Sequence, residues 1–243
     1  MKAPILIGIP TYDKKEYAWK DLAKAIKKIK SPLQDCKVHV YLVDTSEEID
    51  FFRYDAEDEG FFYKHIQEEK RMDRVVRARN EIIGFALENN YSYILFLDSD
   101  VIVPKETLIN LFWVETGYAA SKKGKPVPTM ISGTYIVTDE FGFPTPAAKI
   151  YVGKTLAHFP NELLDGRYHE VDLVGMGCCL IPREIFKDIK FRCERGKYGD
   201  VRKAEDVCYC EDALKKGYKI LLDTSTVCTH KISNDSNWDD GGV

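Results

Sequence analysis

The chain has 243 residues, of which 44% are hydrophobic, and its formal net charge is −4 at pH 7. This length suits one large α/β domain and leaves little room for a second independent core. The mildly acidic balance gives no general electrostatic reason to bind nucleic acid.

The first hundred residues alternate apolar runs with helical patterns. Strands are predicted at 4–10, 38–43, 61–66 and 93–98, and helices at 16–30 and 73–89. Apolar strands that alternate with helices indicate a parallel sheet covered on both faces, with ligands at the carboxyl ends of its strands. Asp44 and Asp98 both fall at such ends.

The helix predicted at 16–30 combines an apolar face with a basic one. Its lysines are Lys20, Lys24, Lys27, Lys28 and Lys30. A solvated helix surface is one interpretation of this pattern, and peripheral contact with an anionic membrane is the other.

The second half of the chain has a different pattern of predicted secondary structure. Shorter β-like runs punctuated by Gly and Pro occur at 129–137, 149–152, 171–174 and 178–181. A helix predicted at 206–216 precedes a strand at 219–222 and a short run that ends at His230. The acidic tail at 233–243 has little apolar content, and we expect it to be mobile and to act as a lid over a bound ligand.

The seven cysteines show no paired C-x-x-C spacing, so neither a zinc site nor a secreted disulfide framework is indicated. The N-terminal residues lack the apolar core of a signal peptide, and no stretch approaches ~18 continuous apolar residues. We therefore expect a cytoplasmic protein.

The segment Y-I-L-F-L-D-S-D at 93–100 is the most informative one. An apolar strand delivers Asp98 and Asp100 at its carboxyl end, and a spacing of two points both carboxylates to the same side. Burying such a pair is costly unless a cation compensates it. Mg²⁺ or Mn²⁺ could bridge the two carboxylates to the phosphates of a nucleotide. The alternative is that D-S-D only ends a strand and opens a turn.

Together with R-A-R-N at 77–80, E-D at 205–206 and His230, this motif resembles the GT-A glycosyltransferases, most closely those of family 2. The resemblance runs from Ile5 to His230. It implies an α/β fold whose Rossmann-like central sheet is mixed, mostly parallel and flanked by helices, with a smaller β-rich acceptor-side region. It also implies one domain at 1–232, with a nucleotide-binding half (1–103), an acceptor and catalytic half (104–232) and a flexible tail (233–243).

The resemblance further implies roles for individual residues. The implied nucleotide contacts are Pro10, Thr11, Asp44, Arg79, Asn80, Asp98 and Ser99. The implied contacts to the donor sugar and the acceptor are Gly175, Met176, Gly177 and Glu205. The implied ligands of Mn²⁺ or Mg²⁺ are Asp98, Asp100 and His230.

These positions also have structural explanations. A β-bulge would account for the glycines, and capping of a helix start would account for Glu205 and Asp206. An exposed helical Arg79 would be merely solvated, and a lone His230 is often a satisfied surface or core residue.

The resemblance implies that a sugar is transferred from a nucleoside-diphosphate donor, a UDP- or GDP-sugar, to a hydroxyl of a glycan, lipid-linked or protein acceptor. Asp206 is the expected general base, since the attacking hydroxyl must lose a proton. A single base opposite the leaving group implies inversion at the anomeric carbon, although retention stays open.

Two other interpretations remain. F-L-D-S-D-V also resembles the nucleophile motif of haloacid-dehalogenase-type phosphatases, although those enzymes carry it on an early strand. The second alternative is a catalytically silent module on the same scaffold that binds sugar nucleotides or glycans.

Overall fold

The computed structural model describes residues 3–30, 37–68, 70–121, 126–139 and 141–232, so the tail at 233–243 and its predicted role as a lid lie outside the described residues. The first half contains β1 (Ile5–Thr11), a 3-10 helix (Asp13–Ala18), α1 (Trp19–Lys30), β2 (Val38–Asp44), α2 (Arg53–Asp58), β3 (Phe62–His65), α3 (Arg71–Glu88), β4 (Tyr93–Leu97), β5 (Val101–Ile102) and α4 (Thr107–Ser121). The second half contains β6 (Thr129–Thr134), β7 (Ile136–Thr138), β8 (Pro144–Pro146), β9 (Ala148–Val152), β10 (Thr155–His158), a 3-10 helix (Asn161–Leu163), β11 (Tyr168–Glu170), β12 (Leu173–Val174), β13 (Cys178–Pro182), α5 (Arg183–Phe186), β14 (Glu194–Arg195), β15 (Val201–Lys203), α6 (Glu205–Lys215), β16 (Lys219–Val227) and β17 (Thr229–His230).

A central sheet of eight strands has the order β11-β16-β6-β13-β4-β1-β2-β3. Strands β4, β1, β2 and β3 are parallel, and β6 is parallel to β16. Strand β13 runs antiparallel between β4 and β6, and β11 is antiparallel to β16. The predicted α/β class with a mixed, mostly parallel sheet is confirmed, and smaller sheets such as β10-β9-β12 belong to the second half.

Helices bury both faces of this sheet. Leu6 and Phe96 belong to the core on the side of α3 and α6, whereas Ile7 and Leu95 belong to the core on the side of α1 and α4. Because neighbouring residues of a strand point to opposite faces, burial on both sides requires apolar residues throughout. This explains why the central strands are continuous apolar runs in the sequence.

The apolar face of α1 is part of the core. Leu22, Ile26 and Ile29 have no exposed surface, and the ring of Trp19 packs 5.4 Å from that of Phe52. The helix therefore presents only its lysine face, and any contact with a membrane would depend on charge rather than on insertion. Within the described ranges, no helix has the length and the apolar character needed to cross a bilayer.

Helix α4 was not predicted from the sequence. It buries Leu108, Leu111 and Tyr118 but leaves Trp113 71% exposed, so its apolar residues do not form one clear stripe. Strand β16 also extends beyond the predicted end at residue 222. The prediction stopped there because D-T-S-T at 223–226 has the composition of a turn. The carboxylate of Asp223 instead accepts hydrogen bonds from Ser225 and Thr226 and holds a bulge within the strand.

Candidate active site

The carboxyl ends of β1, β4 and β6 meet at one edge of the sheet. Thr11 ends β1, Asp98 follows β4, and Tyr135 follows β6. Since β13 runs in the opposite direction, its N-terminal end lies at the same edge, and the Asp98 N–H donates to the Gly177 carbonyl at 3.0 Å. The first predicted metal ligand and the predicted sugar-binding segment are therefore neighbours.

Arg79 is a buried cation between two carboxylates. It is 3% exposed, its Nη2 donates to Asp98 Oδ1 at 2.9 Å, and its Nε lies 3.4 Å from Glu205 Oε1. Burial disfavours the charge, but the carboxylates of Asp98 and then Glu205 outweigh it and raise the pKa of Arg79. Arg79 thus connects the D-S-D motif to the start of α6.

The surroundings of Arg79 differ from those of a solvated helical arginine. The guanidinium carbon lies 5.6 Å from the ring centroids of both Phe96 and Phe191. The Nη1 atom is buried and has no hydrogen-bond partner among the described residues. An unpaired buried donor is costly, so Arg79 Nη1 is a polar atom that the described fold leaves unsatisfied.

The first turn of α6 places Glu205 and Asp206 in this network. Burial, followed by the negative charge of Glu205, raises the pKa of Asp206 to about 7, although Arg79 opposes the shift. The Val207 N–H donates to Asp206 Oδ1 at 2.7 Å and fixes the carboxylate. A carboxylate with this pKa is suited to accept a proton near neutral pH.

Asp100 contacts an ammonium group and an imidazole ring. Its Oδ2 forms an ion pair with the Lys15 ammonium and lies 3.3 Å from His230 Nε2. Burial raises the pKa of Asp100, but the hydrogen bond from His230 and the charge of Lys15 outweigh burial and lower it. The same hydrogen bond raises the pKa of His230. The structure thus brings Asp100 and His230 together, as predicted, and adds Lys15.

Tyr135 explains both glycines of the V-G-M-G segment. A Cβ atom at Gly175 would lie 2.1 Å from the Tyr135 hydroxyl oxygen, and one at Gly177 would lie 2.9 Å from the same ring. The Gly177 N–H donates to that hydroxyl at 3.1 Å. The glycines therefore make room for the Tyr135 side chain, and their predicted contact with a donor sugar or acceptor stays a prediction.

Tyr135 is a site residue that the sequence did not identify. It is 6% exposed, and its ring lies edge-on to His230 with centroids 5.9 Å apart. Burial, followed by the charge of Asp98, holds the pKa of Tyr135 well above its usual range, so the hydroxyl keeps its proton. The available signal was its place directly after an apolar strand, at the carboxyl edge of the sheet.

The contact between Gly175 and Tyr135 leads to a stability prediction. We expect Gly175→Ala to destabilise the protein by about 1–3 kcal/mol, because the methyl group overlaps the hydroxyl. The cost should be smaller in a Tyr135→Phe background, and urea unfolding of the four proteins measures the difference.

Gly84→Ala is the matched control, since nothing lies within 4 Å of the added Cβ on helix α3. This change should raise stability by up to about 1 kcal/mol. An equal cost of Gly175→Ala with and without the Tyr135 hydroxyl would contradict the proposed contact.

Asp44, the predicted contact of the nucleotide base, is buried and hydrogen-bonded within the protein. It has no exposed surface, and its Oδ1 accepts from the Ser46 N–H at 2.9 Å. Its Oδ2 accepts from the Tyr63 hydroxyl at 2.9 Å and from the Phe52 N–H at 3.3 Å. As placed, the carboxylate stabilises the turn after β2. Its contact with a nucleotide base stays a prediction.

Two further predicted contacts are also occupied by the protein. The Asn80 amide donates to the Phe191 carbonyl at 2.8 Å and accepts from the Phe191 N–H at 2.9 Å, which fixes the segment that covers Arg79. Met176 is 1% exposed and belongs to the hydrophobic core. The predicted contacts of Asn80 with a nucleotide and of Met176 with a sugar stay predictions.

The remaining predicted nucleotide contacts lie at the carboxyl edge. Pro10 is partly exposed at the end of β1, and Ser99 is 4% exposed between the two aspartates. Thr11 is 2% exposed, and its hydroxyl has no hydrogen-bond partner among the described residues. Like Arg79 Nη1, this hydroxyl is a buried polar atom that a ligand could satisfy.

The charge balance of the site fits a divalent cation. We call the four carboxylates the acidic cluster: Asp98, Asp100, Glu205 and Asp206. Arg79 pairs with Asp98 and Glu205, and Lys15 pairs with Asp100, which leaves one negative charge. Asp206 adds a second negative charge when it is ionised, at a pH above about 7. Carboxylate oxygens and an imidazole are ligands that Mn²⁺ accepts. Among the described residues, no three acidic, His or Cys side chains are already grouped around a common point.

Comparison with known proteins identifies the fold. No protein-family model matches the sequence, and no curated protein matches it. Among solved structures, GalNAc-T7 with UDP, GalNAc and Mn²⁺ matches with a TM-score of 0.64 and 12% identity, over 96% of this chain and 45% of that one. The Pyrobaculum calidifontis mannosyltransferase PcManGT, in complex with GDP-Man and Mn²⁺, matches with a TM-score of 0.58 and 15% identity, over 97% and 59%. The chain has the GT-A fold.

A third solved structure is similar to this chain at a comparable TM-score and a similarly low sequence identity. Residues 1–349 of S. aureus TarS, in complex with UDP-GlcNAc, give a TM-score of 0.57 and 18% identity over 98% of this chain and 62% of that one. The chain spans less than two thirds of each of these three proteins. The phosphatase alternative is not supported either. Those enzymes carry the motif on an early strand, whereas here D-S-D follows the fourth strand and E-D begins helix α6.

Proposed function

We propose that this protein is a metal-dependent glycosyltransferase that moves a sugar from a nucleoside-diphosphate donor to a hydroxyl acceptor. The observation that carries the proposal is the buried Arg79, which pairs with Asp98 and Glu205 next to Asp206 at the carboxyl edge of a GT-A sheet. A carboxyl group with a pKa near 7 beside an excess of negative charge suits proton transfer next to a cation-bound diphosphate.

Departure of the nucleoside diphosphate places negative charge on its bridging oxygen. A divalent cation, Mn²⁺ or Mg²⁺, held by Asp98, Asp100 and His230, would stabilise that charge as a Lewis acid. Arg79 Nη1 is a buried donor suited to an anionic oxygen, and the Thr11 hydroxyl is a second unsatisfied group at the same edge.

Asp206 takes the proton from the attacking hydroxyl in this proposal, and burial together with the charge of Glu205 keeps the pKa of Asp206 high enough for that task. One base facing the acceptor favours inversion at the anomeric carbon. Tyr135 packs against the glycine segment and positions it beside Asp98.

We propose a UDP- or GDP-sugar as the donor, because UDP, UDP-GlcNAc and GDP-Man are the ligands bound by similar structures. The acceptor class is a glycan, lipid-linked or protein hydroxyl, and the setting is cytoplasmic. The single domain at 1–232 with its two halves stays a prediction. Its two halves contribute strands to one central sheet.

A thermal-shift screen tests this proposal. UDP-, GDP-, CDP- and dTDP-sugars are each added with and without Mn²⁺. At a ligand concentration near 100 times Kd, we expect one nucleotide to raise Tm by about 5–10 °C, with most of the shift requiring Mn²⁺. Asp100→Asn should lose the Mn²⁺-dependent part, whereas Asp212→Asn on the exposed side of α6 should keep it.

Turnover separates the enzyme from a silent binding module. Mn²⁺-dependent release of the nucleoside diphosphate, lost in Asp206→Asn, supports the enzyme. Binding without any turnover on a broad acceptor panel would favour the silent module, and no binding of any sugar nucleotide would contradict both.

A further inference from the structure

Lys15 places a positive charge at the second carboxylate of the D-S-D motif. It lies in the 3-10 helix that follows β1, and its ammonium forms an ion pair with Asp100 Oδ2. The side chains of Lys15 and Asp100 are only 18% and 6% exposed. Partly desolvated pairs of this kind are stronger than the solvated lysine pairs of a protein surface.

The segment that carries Lys15 is fixed in place. The Lys15 N–H donates to the Tyr12 carbonyl at 2.9 Å, and the Tyr17 hydroxyl donates to the Lys231 carbonyl at 3.1 Å. The Lys231 ammonium forms an ion pair with Asp21, and the Lys231 N–H donates to the Asp100 carbonyl at 2.8 Å. These contacts join the start of α1, the D-S-D motif and the segment that follows β17.

The Lys15 ammonium and His230 meet the same oxygen. His230 Nε2 lies 3.3 Å from Asp100 Oδ2, which is also the partner of Lys15. A buried carboxylate requires a positive partner, and Lys15 provides one without any bound ion. An ammonium and a divalent cation at this oxygen repel each other, so the presence of either one weakens the binding of the other.

We propose that Lys15 is a built-in competitor of the divalent cation, and this inference rests on the proposed function. Lys15 compensates Asp100 in the ligand-free protein, and a metal ion displaces its ammonium. The flexible four-carbon stem of lysine then lets the ammonium bind the diphosphate of the arriving nucleotide. Lys15 thereby couples metal binding to nucleotide binding: the metal binds weakly alone and tightly together with a nucleoside diphosphate.

Mn²⁺ titrations followed by electron paramagnetic resonance test this inference without using activity. The free-ion signal gives the Mn²⁺ affinity of the wild type and of Lys15→Met, with no nucleotide, with UDP and with GDP. Without nucleotide, Lys15→Met should bind Mn²⁺ about tenfold more tightly than the wild type, because its competitor is gone. The nucleotide that fits should improve the affinity of the wild type by a clearly larger factor than that of Lys15→Met.

Matched variants separate this effect from a general change of charge. Lys14→Met removes a neighbouring exposed lysine and should behave as the wild type, and Lys15→Arg should retain most of the competition. Asp100→Asn should bind Mn²⁺ weakly in either background. Thermal melts of all variants verify that each is folded.

The outcomes distinguish the inference from the proposed function. If the wild type binds Mn²⁺ together with a nucleotide, but Lys15→Met neither gains affinity for Mn²⁺ nor loses coupling, the competitor role is wrong and the proposed function stands. If the wild type binds no Mn²⁺ with either nucleotide, the proposed metal site itself is wrong.

Discussion

Asp206→Asn should reduce the transfer rate by about 10²–10⁴-fold while leaving Mn²⁺-dependent nucleotide binding within a few-fold of the wild type. The amide cannot accept the proton of the acceptor hydroxyl, yet it preserves the size of the side chain. Turnover and nucleotide affinity are measured on the same preparations. Asp212→Asn is the same substitution farther along α6. Because Asp212 pairs with surface groups such as Arg192, this variant should leave turnover unchanged.

The pH dependence adds a second readout for Asp206. Because burial and Glu205 raise the pKa of Asp206 to about 7, the carboxyl is protonated below that pH and cannot act as a base. The value of kcat/KM should therefore rise with pH and level off above about 7. Near-normal turnover in Asp206→Asn, or a profile that is flat from pH 5 to 8, would remove Asp206 from this role.

The ionisation of Asp206 should have opposite effects on stability and on activity: as the pH rises, activity increases and the stability of the fold decreases. The folded protein holds a proton on Asp206 between the unfolded pKa of 3.8 and about 7, so the contribution of this group to stability falls as the pH rises through that window. Asp206→Asn removes the buried charge and should stabilise the protein at pH 8. A variant that is inactive yet more stable is not explained by misfolding.

Arg79→Met should be the most destabilising of the substitutions considered, at about 3–5 kcal/mol. It leaves Asp98, Glu205 and Asp206 as uncompensated negative charges around a buried site. Urea unfolding measures the loss. The loss should shrink at pH 5, since Asp206, whose pKa is raised to about 7, is then protonated and no longer adds to the repulsion, and should be largest at pH 8.

Arg77→Met on the same helix is the control for Arg79. The Arg77 side chain is 55% exposed, and its Nη1 lies 3.5 Å from Glu68, so its loss should cost less than about 1 kcal/mol. Arg79 also lowers the pKa of Asp206, so any residual activity of Arg79→Met should require a higher pH than that of the wild type. Equal stability of the two variants would show that Arg79 does not compensate the acidic cluster.

The sequence predicts the sheet well because its central strands are buried on both faces. Continuous apolar runs at β1, β2 and β4 follow directly from that burial, and the D-S-D motif marks where β4 ends. Helix α4 escapes prediction because its apolar residues do not form a single stripe. The bulge at Asp223 escapes because its residues are typical of turns in isolation.

The sequence indicates the acidic residues of the site but not the residues that pair with them. Asp98, Asp100, Glu205 and Asp206 are recognisable from order and spacing, but their partners come from distant segments. Lys15 is one of many lysines near the N-terminus, and nothing in the sequence distinguishes it.

Asp44 and Asn80 show the converse problem. Both stand at positions that suggest ligand binding, yet each is occupied by hydrogen bonds to the protein's own backbone or side chains. A pattern gives the residue type and its place at a strand end or on a helix. Only tertiary packing determines whether its polar atoms remain available to a ligand.

A crystal structure with Mn²⁺ and the nucleoside diphosphate selected by the thermal-shift screen tests the central claim most directly. Anomalous scattering at the manganese edge locates the ion independently of its surroundings. We expect the ion at Asp98, Asp100 and His230, with the diphosphate beside it and Lys15 turned away from Asp100. A nucleotide bound elsewhere, or an acidic cluster that keeps its Lys15 and Arg79 pairs with no ion present, would contradict the account.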